Sequence, residues 1–149
     1  MRSVVQRVKK AWVKVAGAEV GAIGPGLLVL LAVGENDGEK DLAWMVEKIV
    51  SLRIFADEEG KMNRSVENSG GEVLLVSQFT LFGDCRKGKR PSFSRAAAPE
   101  RAKKMFEDVV AAVKGKGISV ATGVFQAEME VGLVNDGPVT LLLDSEKNF

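Results

Sequence analysis

Apolar residues recur along the chain with two periods, and each change of period marks an element. Val4-Val5-Gln6-Arg7-Val8 and then Ala11, Val13 and Val15, alternating with Trp12 and Lys14, predict two strands. Gly24-Pro25-Gly26 is a turn signal, and Leu27 to Val33 is a continuous apolar run of the kind found in strands buried on both faces. Glu35-Asn36-Asp37-Gly38 breaks the pattern; Leu42, Met45, Val46, Ile49 and Val50 then fall at helical spacing. Asp57 to Ser69 is polar and predicts a loop holding a short hairpin or single strands, and Val73 to Phe82 predicts a strand and its exit. Pro99 and Glu100 suit the first turn of a second helix with a core face of Ala102, Met105, Phe106, Val109 and Val113, stopped by Gly115 and Gly117. Phe125, Ala127, Met129, Val131 and Leu133 alternate with polar neighbours as in a half-buried strand. Asn135-Asp136-Gly137-Pro138 then turns the chain into a last strand from Val139 to Leu143.

No repeat or linker interrupts this order. It predicts a single α+β domain over residues 1–149, with a strongly curved or barrel-like mixed β-sheet and two main helices packed outside. A composition of 46% hydrophobic and 28% charged residues is that of a packed globular chain. No apolar run approaches the roughly 20 residues a bilayer span needs, and Met1-Arg2-Ser3-Val4 enters a strand with no signal-peptide architecture, so a cytoplasmic location is the default expectation.

The count that narrows the chemistry is histidine, of which there is none. Ser-His and Cys-His nucleophilic pairs, imidazole bases and histidine-containing zinc sites are excluded, and the lone Cys85 can build neither an intramolecular disulfide nor a four-cysteine site. No Asp/Glu cluster has the spacing of a metal loop, so neither metal nor cofactor is expected. With a net charge of only +1, any contact with RNA has to come from a local patch. Arg86, Lys87, Lys89 and Arg90 form one candidate patch, and a solvated surface loop is its plainer reading. Cys85 as a nucleophile would depend on Arg86 or Lys87 alone for activation. Ser77-Gln78-Phe79-Thr80-Leu81 sits where an apolar strand ends, a usual place for chemistry and equally the ordinary passage of strand into loop. Gly137-Pro138 is a candidate cis pair, and Phe125 with Met129 reads by default as core packing.

Together these stretches resemble the D-aminoacyl-tRNA deacylase family over essentially the whole chain. The matching segments, in order, are Gln6-Arg7-Val8, Gly24 to Leu30, Arg53-Ile54-Phe55, Gly60-Lys61-Met62-Asn63, Ser77 to Leu81, Arg90-Pro91-Ser92-Phe93 and Asn135 to Thr140. The resemblance implies a metal-free homodimer, without cofactor, that hydrolyses the ester of D-aminoacyl-tRNA at two active sites in the subunit interface. It implies that Ser77, Gln78, Phe79 and Thr80 line the reaction centre and that Phe125 and Met129 flank a pocket for the terminal adenosine. A Gly137-cisPro138 pair held by Arg7 would enter the partner's pocket and reject L-aminoacyl groups. Such a wall cannot reject glycine, so glycyl-tRNA mischarged on alanine tRNA would also be cleaved. Many relatives have a small residue where this chain has Gln126, and the local alternation predicts that Gln126 points away from Phe125 and Met129. Two other readings stand beside the enzyme: an RNA-binding module that docks the aminoacyl end without cleaving it, and a structural dimerisation domain.

Overall fold

A computed structural model describes residues 1–149. The first strand, β1 (Arg2–Val15), is one unbroken element where the apolar pattern predicts two. Ala16 and Gly17, both at positive φ (50° and 80°), reverse the chain tightly into β2 (Ala18–Ile23). That strand is absent from the sequence pattern because Ala18, Glu19, Gly21 and Ala22 are small or polar and only Ile23 is buried. β3 (Gly26–Ala32) returns antiparallel to the first half of β1, pairing Arg7 with Leu27, while β2 takes the second half of the same edge.

Helix α1 (Glu39–Ser51) buries Met45, Val46, Ile49 and Val50, and the Gly38 N–H ahead of it donates to the Asp41 carboxylate at 2.9 Å. The following loop contains a small hairpin, β4 (Phe55–Ala56) with β5 (Met62–Arg64), and a one-turn helix, α2 (Val66–Ser69), whose Asn68 N–H donates to Ser65 Oγ. β6 (Glu72–Ser77) then lies parallel to β3. Helix α3 (Pro99–Gly115) buries the five residues its period predicts. After it come β7 (Val120–Thr122), parallel to β6 and too short to be read from the sequence, and β8 (Glu130–Asp144), antiparallel to the free edge of β1.

The sheet runs β2-β1-β3-β6-β7 with β8 on the outer edge of β1, and it curls until β2 meets β7. Contact there is so close that a side chain at Gly21 would sit 2.4 Å from the Thr122 carbonyl oxygen. The result is the nearly closed barrel that the alternation of strands and helices predicts. β3 and β6 are continuously apolar because both of their faces are covered. Leu27, Val29, Leu31, Val73 and Leu75 pack beneath α1 and α3, whereas Leu28, Leu74 and Val76 join Val8, Ala11, Val13 and Ile23 inside the curl. No helix is long and apolar enough to cross a membrane.

Two features of β8 differ from the sequence reading. The strand starts at Glu130, not at Phe125; Gln126 adopts a left-handed conformation (φ 63°), which breaks the period of two, and Ala127 N–H closes a turn onto the Val124 carbonyl at 3.2 Å. Asn135-Asp136-Gly137-Pro138 does not reverse the chain but bulges from within the strand. Between the pairs Gln6–Thr140 and Val8–Asn135, β1 advances two residues and β8 five, so three extra residues of β8 must leave the ladder. Proline, having no N–H to contribute, is tolerated in such an excursion. Asn135 Oδ1 bridges its base by accepting from the Val139 N–H at 2.8 Å.

Candidate active site

At the ends of β3 and β6 the curl opens into a cavity of about 700 Å³ lined mainly by apolar groups. A volume of this size accommodates a small-molecule ligand or a nucleoside with its substituent. Its floor is Ala32, Val76 and Ser77, and one wall is Phe125, Ala127 and Met129. Met129 fits because position 123 is glycine: a Cβ there would come within 2.6 Å of the Met129 sulfur. Phe125 packs behind onto Phe106 of α3, with ring centroids 6.3 Å apart.

The opposite wall is made where β6 stops. The Gln78 N–H still donates to the Leu31 carbonyl at 2.8 Å, the last tie to β3. Phe79 to Phe82 then form a single 3-10 turn, and the first N–H groups of such a turn have no acceptor within it. The amides of Phe79 and Thr80 therefore lie at a strand exit beside the cavity. The Gln78 side-chain amide donates to Thr80 Oγ1. No histidine exists to draw off a proton, and no carboxylate or amine lines the cavity. The exposed Phe79 ring meets Phe93 edge-on at 5.2 Å and 70°, a lining contribution from Phe93 that the sequence pattern does not reveal.

Ser77, Gln78, Phe79, Phe125 and Met129 are thus brought together, with Thr80 adjoining. Gln126, at a left-handed backbone position, also borders the cavity, while it is exposed in step with Glu128 and Glu130. Arg7, Gly137 and Pro138 do not line it. Arg7 is level with Leu27, whereas Ser77 is level with Leu31, an offset of about 13 Å along the strands at the usual rise.

At that distance Arg7 and the bulge form a unit of their own. Arg7 Nε donates to the Asp136 carbonyl at 3.0 Å and lies 3.4 Å from its carboxylate, while Nη1 donates to the Ile54 carbonyl at 2.5 Å. The Gly137-Pro138 peptide is cis and both residues are exposed. Gly137 has φ 137°, in the region reserved for glycine, and any Cβ there would approach Val139 to 2.8 Å and the Arg7 guanidinium to 3.2 Å.

The basic residues sit on an excursion from Asp84 to Ser92, clasped at its base by a reciprocal pair of backbone hydrogen bonds of 2.8 and 3.0 Å. Arg86 is already engaged: its guanidinium and its own N–H all bind the Asp84 carboxylate, which holds that acid far below the ordinary carboxylate range. Lys87, Lys89 and Arg90 are exposed and have no internal partner. Cys85 is exposed on the same loop, outside the cavity. No three His, Cys, Asp or Glu side chains converge in a metal-binding group.

Residues 4–144 match the family model described as D-Tyr-tRNA(Tyr) deacylase. A protein of Desulfitobacterium hafniense named D-aminoacyl-tRNA deacylase is 68% identical over 149 residues, covering all of both chains. One of the same name from Thermosipho africanus is 59% identical, again over the full length of both. Among solved structures, the c-Myc DNA Unwinding Element Binding Protein superposes with a TM-score of 0.91 at 40% identity, over 97% of this chain and 98% of that one. A probable eukaryotic D-amino acid tRNA deacylase gives 0.79 at 17% identity, over 95% and 97%, a likeness of fold.

Proposed function

The chain belongs to the D-aminoacyl-tRNA deacylase family and hydrolyses the ester of D-aminoacyl-tRNA, and from that premise we propose how its own residues perform and restrict the reaction. The observation carrying the proposal is the cavity at the exit of β6, which offers backbone amides and neutral polar side chains but no base. An aminoacyl ester of a ribose hydroxyl is already reactive, so stabilising its transition state can suffice. Water attacks the ester carbonyl, and the Phe79 and Thr80 N–H groups receive the developing oxyanion, each such donor being worth roughly 10²–10³ in rate. Collapse of the tetrahedral species expels the ribose oxygen, which regains a proton, and releases the amino acid. The neighbouring 2′-hydroxyl of the substrate assists proton movement, which accounts for a hydrolase without histidine. The adenosine lies between Phe125 and Met129, with Ser77 and Gln78 lining the reaction centre.

The enzyme acts as a homodimer. Within one chain the exposed Gly137-Pro138 bulge stands well away from the cavity, so its use as a chiral wall requires that it enter the partner's site. A backbone wall clashes with any L side chain whatever its chemistry, whereas a fitted side-chain pocket could not serve many D-amino acids at once. Glycine has no side chain to reject, so glycyl-tRNA mischarged on alanine tRNA is a substrate as well. Lys87, Lys89 and Arg90 contact tRNA phosphates, and Arg86 shapes the loop through Asp84.

Incubating the purified protein with D-tyrosyl- and D-aspartyl-tRNA tests the reading. Release of free D-amino acid is expected; binding without release would indicate a docking module, and neither would indicate a structural domain. Loss of activity on dilution below the dimer dissociation constant tests the interfacial site.

A further inference from the structure

Polar side chains are scarce in the cavity: only Ser77, Gln78 and Gln126 contribute them. One N–H of the Gln78 carboxamide donates to Thr80 Oγ1. The Gln126 carboxamide has no partner within the chain, stands exposed, and belongs to the same short segment as Phe125 and Met129. Gln126 adopts φ 63°, a conformation unfavourable for a residue with a Cβ, at the border of the cavity.

A carboxamide presents a donor and an acceptor side by side. Adenine presents the complementary pair on one edge, with N7 accepting and the 6-amino group donating, and glutamine is one of two side chains that match it in a bidentate fashion. Phe125 and Met129 offer apolar contact to a base but cannot tell one purine from another. We propose that Gln126 is a specificity-determining residue of this enzyme, reading the N6/N7 edge of the terminal adenine. The inference rests on the reading that Phe125 and Met129 hold that adenosine, and it deepens it.

The test uses a non-hydrolysable substrate mimic, 3′-amino-3′-deoxyadenosine acylated with D-tyrosine, together with its 7-deaza form and its form lacking the 6-amino group. Each alteration should weaken binding to the wild type by roughly 2–10-fold, the range of one neutral hydrogen bond. Gln126→Gly should bind all three mimics alike. It should also unfold at a higher temperature, because glycine accepts positive φ without penalty. A residue with no part in recognition would show the stability gain with no change in the binding ratios. Phe125→Ala separates the two layers of the argument. If it leaves affinity for the parent mimic unchanged, the adenosine pocket itself is misplaced and the inference falls with it. If it weakens binding while the wild type fails to distinguish the mimics, or while Gln126→Gly still distinguishes them, the pocket stands and the assignment of Gln126 is overturned.

Discussion

Arg7 contributes to two ties at once, since one guanidinium holds both the Asp136 carbonyl and the Ile54 carbonyl. Truncating it removes charge-assisted hydrogen bonds that typically contribute about 1.5–3 kcal/mol each, so Arg7→Ala should lower the unfolding midpoint without abolishing the fold. If the bulge it secures is the chiral wall, the same change should reduce the D/L ratio of kcat/KM for tyrosyl-tRNA by tenfold or more, about 1.4 kcal/mol of discrimination. An unchanged ratio in a folded dimer would remove Arg7 from that role. Thr80 poses the opposite case. Its hydroxyl looks like a nucleophile, but it accepts from the Gln78 amide and faces no base, whereas its backbone N–H survives any side-chain change. Thr80→Ala should retain most activity; a fall beyond about a thousandfold would exceed what one oxyanion donor supplies and would mark the hydroxyl as reactive. Trapping an acyl group on Thr80 would establish the same point directly.

Among the elements, the segment that follows β8 is held by carboxylates. Ser145 Oγ donates to Asp41, Asn148 Nδ2 to Asp144, and Arg95 pairs with Glu146 at 2.6 Å. Burial raises Asp41 and Asp144, but hydrogen bonds and nearby positive charge outweigh it, so both lie below their ordinary values; Glu146 is lowered chiefly by Arg95. Carboxylates depressed in the folded state contribute stability that is present above about pH 4–5 and lost as pH falls through their folded values. The urea midpoint should therefore stay level from pH 7 to about 5 and drop below about 4, with a shallower drop in Asp144→Asn. A midpoint constant to pH 3 would show that this segment contributes nothing. The elements also show why some of the fold was legible and some was not. α1 and α3 were readable because each buries one continuous stripe at helical spacing. β2 was not, since its closure onto β7 depends on the absence of a side chain at Gly21 rather than on the presence of apolar ones. Period two around Phe125 reflects alternating burial in a turn, and no alternation could disclose that the backbone at Gln126 is left-handed. The wall from Ser77 to Phe79 was readable through family resemblance, while physics alone marked it only as a strand exit.

For the molecule as a whole, a net charge of +1 leaves electrostatic attraction of tRNA to local basic patches. With Arg86 neutralised by Asp84, the free cations of the clasped loop are Lys87, Lys89 and Arg90. Replacing Lys89 and Arg90 with alanine should reduce the slope of log affinity against log salt by roughly 1.4–1.8, at 0.7–0.9 per lost phosphate contact, while Arg86→Ala changes it little. Equal effects from all three would mean that the Asp84 pair opens on binding. The pairing of β1 with β8 has a consequence on another scale, that of protein synthesis. Arg2 is opposite Asp144 and Trp12 opposite Gly132, so the first strand made waits for the last before one of its edges is covered. Such non-local pairing is slow to form and leaves an unpaired edge open to aggregation meanwhile. A ribosome-bound nascent chain exposed as far as residue 129 should remain sensitive to protease, and one exposed through residue 149 should become resistant. Protection of the shorter chain would show that the curl assembles without β8; otherwise the growing polypeptide has no enzyme in it until β8 has emerged.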